Sequence, residues 1–108
     1  MITEIVLFKL RKEFTVESLI DAYKSTAEKW AKNPDLIQKW YFYDPATHEG
    51  GGVYIWRDRE AAARWHGPEY RTMVEKLYGH PPDIRILDAL IHVDVGHQSY
   101  EVLTAAGE

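Results

Sequence analysis

The chain has 108 residues, 45% hydrophobic and 28% charged, the size and balance of one globular domain with a core of its own. It contains no cysteine, which excludes disulfide frameworks, thiolate nucleophiles, thiolate zinc sites and iron–sulfur ligation together. Its formal net charge of −4 argues against nucleic acid or an anionic membrane as partner, because phosphate binding relies on clustered Lys and Arg. No apolar run approaches the ~20 residues of a membrane span, and Met1-Ile-Thr-Glu-Ile-Val lacks a basic then apolar leader, so a cytoplasmic protein is the expectation. Four Trp and seven Tyr are many for this length, and such rings line pockets for flat ligands as well as cores.

In chain order, Ile5, Val6, Leu7, Phe8 and Leu10 predict a first strand over Ile2 to Leu10, ended by Arg11-Lys12-Glu13. Thr15 is a fair N-cap for a helix with Val16, Leu19, Ile20, Tyr23, Ala27, Trp30 and Ala31 at helical spacing, stopped by Asn33-Pro34. A second strand follows from Leu36 to Tyr43, with Leu36, Trp40 and Phe42 on one side and Ile37, Tyr41 and Tyr43 on the other, closed by Asp44-Pro45. The glycines at 50–52 read as a hairpin connection with positive φ, leading into a third strand, Val53-Tyr54-Ile55-Trp56. Asp58 caps a second helix that Gly67-Pro68 breaks and that resumes from Glu69 to Tyr78. After the Gly79-His80-Pro81-Pro82 turn, apolar residues from Ile84 to Val95 predict one long fourth strand, and Gly96 to Glu108 reads as a loose tail. The reading is one domain over 1–95 with a tail over 96–108.

The order βαββαβ predicts an α+β fold of ferredoxin-like type, an antiparallel four-stranded sheet with two helices on one face. The first and fourth strands are nevertheless apolar on both sides. Two helices cover one face only, so a homodimer through the bare sheet faces, closing a barrel, is expected.

Among five histidines, His48, His80 and His97 read as surface residues, whereas His66 sits at the helix break, where a side chain can aim between helix and sheet. His92 lies in an apolar strand with Asp88 four residues before it, a pairing in which the carboxylate could orient the ring. No His-Glu-x-x-His or similar spacing occurs, so no resident metal is expected, and the triple glycine precedes a strand rather than a helix, unlike a phosphate loop. Trp40 and Phe42 with Tyr54 and Trp56 across the hairpin, plus Trp30 and Trp65 from the helices, are expected to converge on the sheet around a flat cavity.

The segment His48-Glu-Gly-Gly-Gly-Val-Tyr-Ile-Trp-Arg-Asp, followed by Glu60-Ala-Ala-Ala-Arg-Trp, resembles the small bacterial monooxygenase-like proteins of the YdhR type, in the dimeric α+β barrel superfamily. The resemblance covers roughly residues 1–95. It implies a homodimer with a pocket in each subunit and oxygenation of a small aromatic or enolisable compound without metal, flavin or other cofactor. It further implies His66 as proton acceptor, Tyr54 or Tyr70 as donor to the developing oxyanion, and His92 as a further polar member. Trp40, Trp56 and Trp65, with Phe8 and Trp30, would hold the rings. Two related activities fit less well: His66-Gly67-Pro68 departs from the His-Pro segment of barrel polyketide cyclases, and the first strand has no asparagine near Lys9 as haem-degrading members do. A non-catalytic ligand-binding domain shares the element order, as does an RNA-recognition motif, whose Lys/Arg-Gly-Phe/Tyr-Gly/Ala-Phe pattern is missing here.

Overall fold

A computed structural model describes residues 1–103. Strand β1 (Ile2–Lys9) buries every second residue, Ile2, Glu4, Val6 and Phe8, while Thr3, Ile5 and Leu7 on its other side stay half-buried. Helix α1 (Val16–Ala31) starts in a capping box: Ser18 N donates to Thr15 Oγ1 at 3.1 Å and Thr15 N donates to Ser18 Oγ at 2.9 Å. Thr15→Ala leaves the Ser18 N–H to water and is expected to cost about 1 kcal/mol. A lower midpoint of urea unfolding at unchanged slope would check it. The apolar stripe of α1 turns Leu19, Tyr23 and Trp30 into the core.

Strands β2 (Leu36–Asp44) and β3 (Glu49–Trp56) form a hairpin closed by Pro45 to His48, the last at φ 56°. Helix α2 (Arg59–Trp65), capped by the Asp58 side chain, ends at His66, and α3 (Pro68–Tyr78) restarts with proline at its first position, where no N–H is needed. Strand β4 (Asp83–Asp88) completes an antiparallel sheet of order β2-β3-β1-β4. The helices bury Leu19, Tyr23, Trp30, Ala61, Ala62, Tyr70, Val74 and Tyr78 against Ile2, Val6, Phe8, Tyr54 and Trp56, so the core lies on one sheet face. This is the ferredoxin-like α+β architecture expected, with the second helix split in two.

Three expectations are corrected. The long fourth strand stops at Asp88, where the ladder with β1 ends at Ile2, and one more backbone bond, from Ala89 N to the Met1 carbonyl at 3.1 Å, closes that end. The chain instead folds on itself as a hairpin of β5 (Ile91–Asp94) and β6 (Ser99–Val102), so part of the expected loose tail is a strand, while 104–108 lie outside the described residues. The triple glycine is not the hairpin turn but the start of β3 inside the sheet, paired with β1 and β2 on both sides. Gly51 has φ +156°, and a Cβ there would run into the Val6 carbonyl oxygen, so only glycine fits at that crossing.

Candidate active site

Between the helices and the sheet lies a cavity of about 20 Å³, room for little more than one water-sized sphere. Its walls are the rings of Phe8, Tyr23, Trp30, Tyr41, Tyr54, Tyr70 and Tyr78, with Lys39, Thr26 and Met73. Two larger spaces adjoin it. A cleft of about 290 Å³ between α1 and β2 shares Trp30, Lys39 and Tyr41 with the cavity, and a groove of about 760 Å³ between α1 and α2–α3 shares Trp30, Tyr70 and Met73. Trp30 therefore divides all three.

The hydroxyls of Tyr54 and Tyr70 meet at 3.1 Å, one donating to the other, which leaves a second proton to offer. Burial pushes both phenols up, the Tyr70 hydroxyl adding to the rise on Tyr54 and the Tyr54 hydroxyl opposing that on Tyr70, so both stay protonated at neutral pH. Tyr23 is held by its own partners, donating to the Phe42 carbonyl at 2.8 Å and accepting from Gly51 N at 2.9 Å, and burial pushes it up to about 12.

Behind the cavity sits a buried polar cluster. Glu4 is 0% exposed, and its Oε1 accepts from Trp56 Nε1 at 2.8 Å and lies 2.6 Å from His66 Nδ1. Among the described residues, Glu4 Oε2 and His66 Nε2 have no hydrogen-bond partner. Burial lowers the His66 pKa, opposed by Glu4, so the ring is neutral at pH 7. The imidazole stacks on Tyr70 at 3.6 Å between centroids and meets the edges of Tyr54 and Trp56 at 4.4 and 5.3 Å.

Lys39, on the edge strand β2, points its Nζ at the same rings, 3.6 Å from the Tyr54 centroid and 3.9 Å from that of Tyr41. Burial lowers its pKa to about 7, with Glu4 opposing the shift. A neutral amine and an ammonium are thus both present near pH 7, on a side chain that lines both the cavity and the neighbouring cleft. Among the described residues, no three His, Asp or Glu side chains gather as metal ligands would.

The family whose model is described as "Putative mono-oxygenase ydhR" matches residues 5–82. The chain belongs to that family. No curated protein matches it in sequence. Solved structures share the fold of this ydhR-family chain. One is described as "Putative antibiotic biosynthesis monooxygenase from Nitrosomonas europaea", 17% identical, TM-score 0.64, spanning 83% of this chain and 99% of its own. A second is SnoaB, a cofactor-independent oxygenase from Streptomyces nogalater, at 14% identity and TM-score 0.60, spanning 82% and 91%. A third, a monooxygenase from Streptomyces coelicolor in complex with nanaomycin D, is 15% identical with TM-score 0.60, spanning 80% and 84%.

In this member of the ydhR family the residues singled out from the sequence part company. Phe8, Trp30, Tyr54 and Tyr70 line the cavity together. Trp56 is fully buried behind it, tied to Glu4. Trp65 borders the outer groove and donates its Nε1 to Asp35 at 2.9 Å. His66 stands one layer back, its side chain 1% exposed and outside the cavity wall. Trp40 is on the opposite sheet face, 56% exposed, because it pairs with Val53 rather than with Tyr54. His92 lies on the β5–β6 hairpin, half exposed, 3.7 Å from Glu101, while Asp88 ends β4 and accepts from Arg59 at 3.0 Å. Glu4 and Lys39 were not foreseen. A carboxylate in the apolar stripe Ile2, Glu4, Val6, Phe8 was the available sign for the first, and a lysine in phase with Tyr41 and Tyr43 for the second.

Proposed function

We propose that the protein is a cofactor-independent monooxygenase, a homodimer that oxygenates a small aromatic compound between its helices and its sheet. The observation that carries this reading is the aromatic-walled cavity with a protonated tyrosine pair in it. In such chemistry the ionised substrate itself reduces dioxygen, and the protein supplies a shaped apolar space, a proton acceptor and donors to the oxyanion. Tyr54 and Tyr70 are the donors, facing the water-sized cavity, and Trp30 and Tyr41, which that cavity shares with the adjoining cleft of about 290 Å³, hold the ring there. Neutral His66, stacked on Tyr70 and braced by Glu4, is a positioning residue that holds the hydroxyl pair.

The homodimer follows from the uncovered sheet face, where Ile5, Leu7, Val53 and Ile55 stand half-buried beside Trp40, 56% exposed, and Leu87, 44% exposed. Oxygen uptake with anthrone as substrate tests the activity. Wild type is expected to consume oxygen with formation of the quinone, and Tyr70→Phe to slow it about tenfold to a hundredfold. A wild-type rate equal to that of buffer would remove the oxygenase reading for anthrones, and an unchanged Tyr70→Phe rate would remove the donor role.

A further inference from the structure

We propose that the Lys39 amine takes the proton from a phenolic or enolic substrate seated in the α1–β2 cleft and, as an ammonium, holds the anion while dioxygen reacts. This rests on the oxygenase reading, and it supplies the acceptor that His66, one layer behind the wall, does not reach.

The geometry is a built one. Lys39 Nζ stands over the Tyr54 and Tyr41 rings and 5.6 Å from that of Trp30, and it makes no hydrogen bond or ion pair among the described residues. Gly52 makes the room: a Cβ there would sit 2.9 Å from Nζ. Lys39 also lines both the cavity and the cleft of about 290 Å³, a volume at the lower end for a small-molecule site, so a ligand in the cleft meets the Lys39 side chain. Ring faces attract a cation, so the same cage that lowers the solvation of the ammonium gives it a seat once the proton arrives.

The groups facing Lys39 leave it the one that titrates near neutrality. They are Glu4 from β1, Tyr41 on β2 itself, Tyr54 from β3, Tyr23 from α1, His66 at the end of α2 and Tyr70 from α3. Burial raises Tyr23, Tyr41, Tyr54 and Tyr70 above their ordinary range and lowers His66 below its own, so these five hold one protonation state while Lys39 changes at about pH 7. The free amine is the proton acceptor, so the rate rises as pH passes upward through that value.

The step balances as follows. The phenolic O–H breaks and its proton goes to Nζ. The anion's ring carbon forms a C–O bond to dioxygen, which is the oxidant, and the ammonium returns the proton to the peroxide. The amine then takes the proton from the attacked carbon as the O–O bond breaks, and passes it to the departing hydroxide. The products are a quinone and one water. The substrate supplies all the electrons that dioxygen gains.

The test uses the full chain, wild type, Lys39→Met and Lys39→Arg, with anthrone and para-nitrophenol as probes and far-UV circular dichroism as the check on folding. With anthrone, wild-type oxygen uptake is expected to rise through about pH 7, and both variants to lose roughly a hundredfold in rate together with that inflection. Variants with the wild-type rate and pH profile overturn the assignment and leave the oxygenase reading standing. If wild type takes up no oxygen, that reading fails for anthrones and para-nitrophenol decides on Lys39. At a pH where the free phenol is colourless, wild type is expected to bind it as the yellow phenolate and Lys39→Met not to. A phenolate band missing from wild type, or equal in Lys39→Met, overturns the proposal. Carbon NMR of the lysine ε-methylene gives a readout independent of substrate and of the variants' folding: a lysine titrating near its ordinary 10.5 rather than about 7 also overturns it.

Discussion

Replacing Glu4 with alanine is expected to cost the fold about 2–4 kcal/mol, from a buried indole N–H left without its acceptor and the void that the side chain leaves. Glu4 is 0% exposed and its Oε1 is the acceptor of the Trp56 indole N–H and the near neighbour of His66 Nδ1. Without it, both donors are left in an interior built of rings, where water does not replace the lost acceptor. The truncation also opens a void between β1 and the helix break, which adds to the loss. Thermal unfolding read by near-ultraviolet circular dichroism should fall by about 10–20 °C. Glu4→Gln keeps an oxygen for Trp56 and should lose only about 1 kcal/mol. An alanine variant melting with wild type would mean that the cluster is not what ties β1, β3 and the helix break together.

Trp40→Glu is expected to convert the proposed homodimer into single chains at micromolar concentration, with the fold intact. The ring is 56% exposed on the sheet face that the helices leave bare. Burying such a side chain is worth about 3 kcal/mol, and a twofold interface contains it twice. Loss of both, with two carboxylates brought into an apolar contact, should weaken association by at least about a thousandfold. Sedimentation would show the change as a halved mass at unchanged circular dichroism. A wild-type chain already sedimenting as a single protomer would overturn the homodimer itself, and a dimeric Trp40→Glu would move the interface elsewhere, with the exposed Ile91, Val93 and Tyr100 of the β5–β6 hairpin next in line.

Much of the site was legible in outline and misassigned in detail, for a reason visible in the β2–β3 hairpin. Asp44 pairs with Glu49 across a loop of four residues, so from Gln38 onward every pair joins an odd position to an even one: Lys39 with Tyr54, Trp40 with Val53, Tyr41 with Gly52. Grouping Trp40 and Phe42 with Tyr54 and Trp56 needs a loop of odd length, and a slip of one residue exchanges the faces of an entire strand. That single parity sent Trp40 to the bare face and brought Lys39 and Tyr41 to the cavity. His66 was read correctly as turned inward by the helix break, but its depth depends on how far α2 and α3 sit above the sheet, which local sequence does not encode.

The amino-acid order alone determined the element types, the break at Gly67-Pro68, the Thr15 and Asp58 caps and the excess of apolar strand over helix, because propensities, caps and hydrophobic period act within a few residues of one another. Only the tertiary structure decided the hairpin register, the end of β4 where β1 runs out, and the meeting of Glu4 with His66 and of Lys39 with Tyr54, pairs drawn from different elements. Protonation states at the site follow from that packing, since the solvation lost by Lys39 and by His66 depends on what the rest of the chain lays over them.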